Sequence, residues 1–247
     1  MKVVCIIQAR VGSSRLPGKV LKNICGKTVL EHVVDRLRKS QLLNDIIIAT
    51  TIGECDNKIA KEAGRLGVNC YRGSENDVLS RYYNAAKEDG SEIVIRITSD
   101  CPVIDPRIID SMIERFIELY KNNEIDYMSN TLERTFPRGL DVEIIPFVIL
   151  EKAHNEANKQ YEREHVTPYI YQNPEIFKLI GFKNPINYSE YRWTLDTPED
   201  FEVITRIYEE LYKDDKMFYF DDIMNLMKRY PEIKNINDDI EQKKLGE

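Results

Sequence analysis

Residues 6–19 read Ile-Ile-Gln-Ala-Arg-Val-Gly-Ser-Ser-Arg-Leu-Pro-Gly-Lys. Arg10, Arg15 and Lys19 stand among small residues, with no acid between them. Gly12, Ser13, Ser14 and Gly18 keep the backbone bare, so its N–H groups can approach an anion. The apolar run Val3-Val4-Cys5-Ile6-Ile7 comes directly before. A strand that ends in a small, cationic, glycine-bearing loop is suited to holding a polyphosphate. An ordinary basic surface loop is the plainer reading, and three cations on so bare a stretch argue against it.

Chemistry at a polyphosphate is limited by charge repulsion and positioning, so it calls for cations held by the protein. Magnesium takes one or two carboxylates together with phosphate oxygens and water. Ligands of open α/β sheets bind at the C-terminal ends of the strands. Asp100, in Thr98-Ser99-Asp100-Cys101-Pro102, follows the apolar run at 92–97. Asp196, in Arg192-Trp193-Thr194-Leu195-Asp196-Thr197-Pro198-Glu199-Asp200, precedes a helix opened by proline. Each has a plainer reading as a cap or turn residue. Asp105 before Pro106, and Thr197 with Asp200, are better placed to cap, which leaves Asp100 and Asp196 to face a cleft.

The loop is not a Walker A loop. Gly12 and Gly18 have five residues between them rather than four, and Val20 follows Lys19 where a metal-binding hydroxyl is needed. No Gly-x-Gly-x-x-Gly is present. The stretch Gln-Ala-Arg-x-x-Ser-Ser-Arg-Leu-Pro-Gly-Lys instead resembles the opening motif of the cytidylyltransferase family of sugar nucleotidyltransferases. That family includes the enzymes that activate 3-deoxy-manno-octulosonate and acylneuraminate sugars, and the form here is similar to the SpsF-like branch. The likeness extends through Asp-Cys-Pro-Val at 100–103 and Asp-Thr-Pro-Glu-Asp at 196–200, to about residue 201.

The resemblance implies an α/β fold, with a Rossmann-like, mostly parallel sheet flanked by helices, as in nucleotide-diphospho-sugar transferases. It implies Mg²⁺ as cofactor, with Asp100 and Asp196 as ligands and Lys19 beside them. Gln8, Ala9, Arg10, Ser13, Ser14, Arg15, Lys19, Asp77 and Thr98 would meet a nucleoside triphosphate, CTP by likeness. Octulosonate enzymes carry a base-reading glutamine where this chain has Thr98, so the base is left to Gln8 and Ala9. A guanylyl- rather than cytidylyltransferase stays open.

Two further segments match the branch. Pro137-Arg138-Gly139-Leu140-Asp141-Val142-Glu143 and Glu164-His165-Val166-Thr167 would face an acidic acceptor sugar, through Arg138, Asp141, Glu143, Glu164 and His165. A guanidinium fork suits a carboxylate. A solvated strand face and a packed helical histidine are the plainer readings. Gly73 to Tyr82 also matches, where Asp77 either meets the nucleotide or caps a helix, and Arg81 either reaches the nucleotide or pairs internally. Two rival functions are a glycosyltransferase of the same fold and a non-catalytic nucleotide-sugar binder. The first is opposed by the absence of any Asp-x-Asp, the second by the presence of every loop cation and both aspartates.

The elements that must position these residues alternate through the first 130. Strands are expected at 3–7, 45–50, 68–71 and 92–97, and helices at 28–40, 55–66, 78–87 and 106–120. That order predicts a parallel sheet covered on both faces. Beyond 127 it breaks. Strands are expected at 141–145, 176–182 and 192–195, and helices at 147–158, 162–171 with an interruption at Pro168, 198–212 and 220–228. Residues 130–190 read as an insertion in one domain spanning 1–247, for acceptor binding and, by the resemblance, for pairing into a homodimer. Tyr161, Tyr169, Tyr171, Ile176, Phe177 and Phe182 supply its apolar surface. The tail from 237 is polar and expected to fray.

The chain has 247 residues, 42% hydrophobic and 31% charged, a globular balance. A net charge of −7 argues against nucleic acid as a partner. No run of 18 apolar residues occurs, and membrane association is not expected. Five cysteines without a Cys-x-x-Cys pair point to a reduced, cytoplasmic setting, with Cys101 a small buried filler.

Overall fold

The computed structural model describes residues 1–13, 15–213 and 216–242. Its main sheet has seven strands in the order β5-β4-β1-β6-β8-β7-β9. These are β1 (Val3–Gln8), β4 (Asp45–Thr51), β5 (Asn69–Gly73), β6 (Ile93–Thr98), β7 (Tyr127–Ser129), β8 (Glu143–Pro146) and β9 (Leu179–Gly181). Strand β8 runs antiparallel to β6 and β7, and every other pairing is parallel. Between them, β2 (Asn23–Ile24) and β3 (Lys27–Thr28) form a small hairpin closed by Cys25 and Gly26. Both turn residues have positive φ, which a two-residue hairpin of this kind requires.

Alternation along the strands builds two cores. Val3, Cys5 and Ile7 of β1 face one cluster with Ile46, Ile48, Ile93, Ile95 and Ile97, while Val4 and Ile6 face a second with Ile47, Ala49 and Val94. The first is covered by α1 (Val29–Leu37), α2 (Asn57–Leu66) and α4 (Pro106–Lys121), and the second by α3 (Val78–Asp89), α5 (Phe147–Glu156) and α7 (Pro168–Tyr171), while α6 (Gln160–His165) lies against α3. A third cluster, around Trp193, holds α8 (Pro198–Leu211), α9 (Phe220–Arg229) and α10 (Glu232–Asn235). Helix starts follow the expected chemistry. Asp105 accepts from the Arg107 N–H at 2.8 Å, and Thr197 and Asp200 form a reciprocal capping box.

The connections place a crevice. From β1 the chain moves outward to β4 and β5, then returns to β6 on the other side of β1. The loops after β1 and β6 therefore leave in opposite directions and open a gap at the strands' C-terminal ends, where ligands of such sheets bind.

Several elements differ from expectation. Residues 192–195 form no strand. Arg138 and Arg192 make an isolated bridge, and the Leu195 N–H reaches the Asp100 carbonyl at 2.9 Å. The interruption expected at Pro168 in the helix at 162–171 falls earlier, at Val166 with φ 73°, and Pro168 opens the second of two helices. The tail does not fray at its start. Asn237 is buried and donates to the Arg192 carbonyl and to Asp200 Oδ1, while Gln242 accepts from Arg192. Residues 243–247 of that expectation lie outside the described residues.

The stretch 130–190 supplies β8 and β9 to the main sheet. Its aromatic groups are largely spent inside the chain. Phe177 is buried, Tyr169 and Tyr171 pack on the second core and Phe182 on the first, leaving Ile176 exposed. No helix among the described residues is long and apolar enough to cross a membrane.

Gly139 fixes the approach of residues 138–140 to residues 192–194. Its φ is +99°, and a Cβ there would lie 2.4 Å from the Trp193 carbonyl carbon and 2.6 Å from the Thr194 nitrogen. Gly139→Ala is expected to destabilise the fold by at least ~2 kcal/mol in urea melts, because main chain cannot give way as a side chain can.

Candidate active site

The cationic loop leaves β1 and is pinned at both ends. The Val11 N–H donates to Asp56 Oδ1 at 2.7 Å, and the Gly18 N–H to the Val11 carbonyl at 3.1 Å. Gly18 has φ +66°, which turns the chain into a single 3₁₀ turn that begins with Lys19. Lys19 Nζ then donates to Asp100 Oδ2 at 2.9 Å and to Asp196 Oδ1 at 2.8 Å. The three side chains are 12%, 24% and 15% exposed, so water screens the contacts only partly.

Each acid is held in turn. The Thr98 hydroxyl donates to Asp100 Oδ1 at 2.5 Å. The Asp100 carbonyl accepts from the Thr194 hydroxyl and the Leu195 N–H, which ties the two acid-bearing segments together. Asp200 is fully buried and accepts from the Asp196 and Thr197 N–H groups, Asn237 Nδ2 and the Arg192 guanidinium. Arg192 and Arg15 each bring a nitrogen to 3.1 Å from Asp196 Oδ2. Burial draws the Lys19 ammonium pKa down, but Asp100 and Asp196 outweigh it and hold it above the ordinary value. Burial pushes the Asp100 carboxyl up, and Lys19 with Thr98 outweighs that and holds it low.

These groups line one cavity of about 540 Å³ at the crevice between β1 and β6. Gln8, Ala9, Arg10, Ser13, Arg15, Lys19, Thr98, Asp100 and Asp196 all reach it, as do Arg138, Asp141, Glu164 and His165. Ser14 lies outside the described residues. Arg10 stands at the rim, 3.8 Å from Glu75. Asp141 is held bidentately by Arg134. The Arg138 guanidinium has no hydrogen bond or ion pair among the described residues, and its pKa is lowered by burial and by the like charge of Arg134. The His165 pKa is lowered by burial, with the nearby Arg96 adding to it, so the ring is neutral at pH 7.

Two residues expected in the site do not line the cavity. Asp77 caps α3 by accepting from the Ser80 N–H, and holds Arg163 with both oxygens. Glu143 is buried beneath the wall and pairs with Arg96. Sequence reasoning missed Arg96 and assigned no role to Arg192 or Gln242, all of which bear on the cavity. A lone arginine in the otherwise apolar run at 93–97 was the available signal, since it demands a buried partner. Arg81 gives its NH1 to the Ser74 and Glu75 carbonyls and also lines the cavity.

A mostly parallel sheet with polyphosphate-type cations and paired carboxylates at its switch point defines a nucleotidyltransferase. Residues 4–229 match the cytidylyltransferase family, and the chain belongs to it. It is 31% identical to the spore coat polysaccharide biosynthesis protein SpsF of Bacillus subtilis, over 84% of this chain and 87% of that one. It is 26% identical to a 3-deoxy-manno-octulosonate cytidylyltransferase of Solibacter usitatus, over 84% of this chain and 95% of that one. The structure of a cytidylyltransferase from Leptospira borgpetersenii superposes with a TM-score of 0.90 at 36% identity, covering 99% of this chain and all of that one.

Lys19→Met removes the shared cation and leaves two half-buried carboxylates facing each other. It is expected to cost about 1–3 kcal/mol of stability at pH 7. Asp100 is held below its ordinary value of 3.8, so its share of this stabilisation is present above pH 3.8 and is lost as pH falls through the lower folded value. Urea melts of both proteins between pH 3 and 8 should show a gap that is constant near neutrality and narrows at the acid end.

Proposed function

We propose that the protein is a Mg²⁺-dependent nucleotidyltransferase that couples CTP to an acidic sugar, releases pyrophosphate and yields a nucleotide-activated sugar for surface glycan synthesis. The observation that carries this reading is the convergence of Lys19, Asp100 and Asp196 beside the cationic loop in one cavity. The two relatives, one in polysaccharide biosynthesis and one a cytidylyltransferase for 3-deoxy-manno-octulosonate, support the choice of base and acceptor class.

The residues fit magnesium. Asp100 and Asp196 are hard oxygen donors from two segments, and they already converge on one shared cation, the Lys19 ammonium. Asp100 and Asp196 would hold the ion. When bound, it offsets charge at the α-phosphate and orients that group. Arg15 and Lys19 bind the triphosphate, and Arg10 at the rim draws it in. Arg138 takes the acceptor's carboxylate as a bidentate partner. The acceptor hydroxyl then attacks the α-phosphorus in line. A new C–O–P linkage forms, the bond from the α-phosphorus to the bridging oxygen breaks, and pyrophosphate leaves. Neutral His165 is able to take the hydroxyl proton.

Pyrophosphate release, measured with each of the four triphosphates against 3-deoxy-manno-octulosonate and N-acetylneuraminate, tests the reading directly. Turnover is expected with CTP and an acidic sugar; release with none of the pairs overturns it. Asp100→Asn and Asp196→Asn should each lower kcat by roughly 100-fold or more while the melting curve stays cooperative, since an amide is a poor magnesium ligand. Arg138→Lys keeps the charge but loses the fork. It should raise the KM of the acidic sugar roughly tenfold and leave the KM of CTP unchanged.

A further inference from the structure

Arg96 enters the cavity from the middle of β6 and is held from several sides. In the antiparallel register it stands directly opposite Glu143 of β8, and its NH1 donates to Glu143 Oε2 at 2.6 Å. Its NH2 donates to Gln8 Oε1 at 3.2 Å, and its guanidinium lies 5.7 Å from the centre of the Tyr82 ring. Glu143 is itself fixed. Its Oε1 accepts from the Tyr127 hydroxyl at 3.0 Å and the Thr167 hydroxyl at 3.1 Å. Oε1 is thereby filled and Oε2 is taken up by Arg96, and the Glu143 carboxylate does not line the cavity. Arg96 does line it.

The hydrogen-bond inventory shows what Arg96 has left. A guanidinium carries five N–H donors. One of NH1 and one of NH2 are used within the protein, and Nε is buried without a partner. One N–H on each terminal nitrogen remains. The charge balance shows what those can take. Glu143 already neutralises Arg96 at contact distance, so a second carboxylate would meet a compensated cation. Arg138 has no such partner among the described residues. The two arginines of the cavity thus differ in kind.

We propose that Arg96 is a specificity-determining residue of the acceptor half of the cavity, which donates to uncharged hydroxyl or carbonyl oxygens of the sugar while Arg138 takes its anionic group, and that Glu143 is the positioning residue that holds Arg96. This rests on the reading given under Proposed function. The wall beside Arg96 supports the assignment. His165 sits close enough to feel the charges of Arg96 and Glu143. Val166, next to it, is held at φ 73°, ψ −55°, with the Thr167 N–H donating to the His165 carbonyl at 2.9 Å. That is a strained γ-turn on a β-branched residue. It sends His165 to the cavity and Thr167 to Glu143, so one strained residue seats both halves of the wall.

The test uses the full chain, CTP and 3-deoxy-manno-octulosonate or N-acetylneuraminate, whichever of these two probes turns over. Arg96→Lys keeps a cation against Glu143, so the fold survives and the fork alone is lost. The KM for the acidic sugar should rise roughly tenfold, while CTP affinity by titration calorimetry stays within about twofold of wild type. Glu143→Gln should shift the same KM in the same direction. The double variant should be no worse than Arg96→Lys alone, because Glu143 acts through Arg96. Analogues of the sugar lacking one hydroxyl add a second readout. One of them should lose affinity for the wild type and be bound by Arg96→Lys as well as the parent sugar is. An unchanged acceptor KM in Arg96→Lys overturns the proposal. So does an equal loss for CTP, which would place Arg96 at the base, and so does a multiplicative double variant, which would give Glu143 a role of its own. If the wild type turns over neither sugar, the proposed function falls and this inference with it; if the wild type is active and Arg96→Lys is silent, this inference falls alone.

Discussion

The Lys19 ammonium, shared between Asp100 and Asp196, is the contact on which the site depends. It joins segments that are 81 and 177 residues apart in the chain. Each segment arrives by its own device: a positive-φ glycine before Lys19, the Thr98 hydroxyl beside Asp100, and the buried Asp200 behind Asp196. The local charges balance, with Asp100, Asp196 and Asp200 against Lys19, Arg15 and Arg192. A dication entering this cluster alone would leave a half-buried excess of positive charge. On the proposed reading a triphosphate gives Lys19 and Arg15 new partners, and the freed carboxylates then face the metal. Nucleotide and metal would thus favour each other's binding through charge alone.

Topology explains why the site lies where it does. Strand order reverses across β1 and β6, so their C-terminal loops diverge and leave a gap no side chain fills. The antiparallel β8 adds a second consequence. It brings Glu143 against Arg96 in register, so a charged pair crosses the sheet under the cavity where a further parallel strand would have carried apolar residues. The sheet therefore does more than support loops, since one of its own rungs faces the ligand space.

The convergence of the cationic loop with Asp100 was legible from sequence because both follow strong strand signals. Arg10 and Asp100 lie two residues past β1 and β6, and Arg15 and Lys19 seven and eleven residues past β1 on the loop that it opens, so strand ends together with the loop motif pointed to them. The opposite wall of the cavity was less legible because its side chains are set by distant partners. Nothing local shows that Glu143 turns to Arg96, 47 residues away, or that Asp77 is taken up by Arg163, 86 residues away. The segment at 192–195 read as a strand for a related reason. Its alternation is real, but its backbone bonds go singly to residues 138 and 100 rather than to a ladder. The polar tail misled through composition. Asn237 and Gln242 are polar because they complete the hydrogen bonding of Arg192 and Asp200, and burial at the end of a chain has no periodic signature.

The bend at Val166 shapes one wall of the cavity. A buried β-branched residue in the left-handed region costs about 1–3 kcal/mol, and such strain persists only where surrounding contacts over-determine it. Here they do. Thr167 is tied to Glu143, the Ile170 N–H closes on the Thr167 carbonyl, and Val166 itself is fully enclosed in the second core. A glycine at 166 would relieve the backbone, and an unbroken helix through 160–171 would avoid the turn. Either change would let His165 and Thr167 leave their opposite stations. Packing of the valine in the second core offsets part of that cost, and the turn it makes holds an imidazole at the cavity on one side and anchors a buried carboxylate on the other.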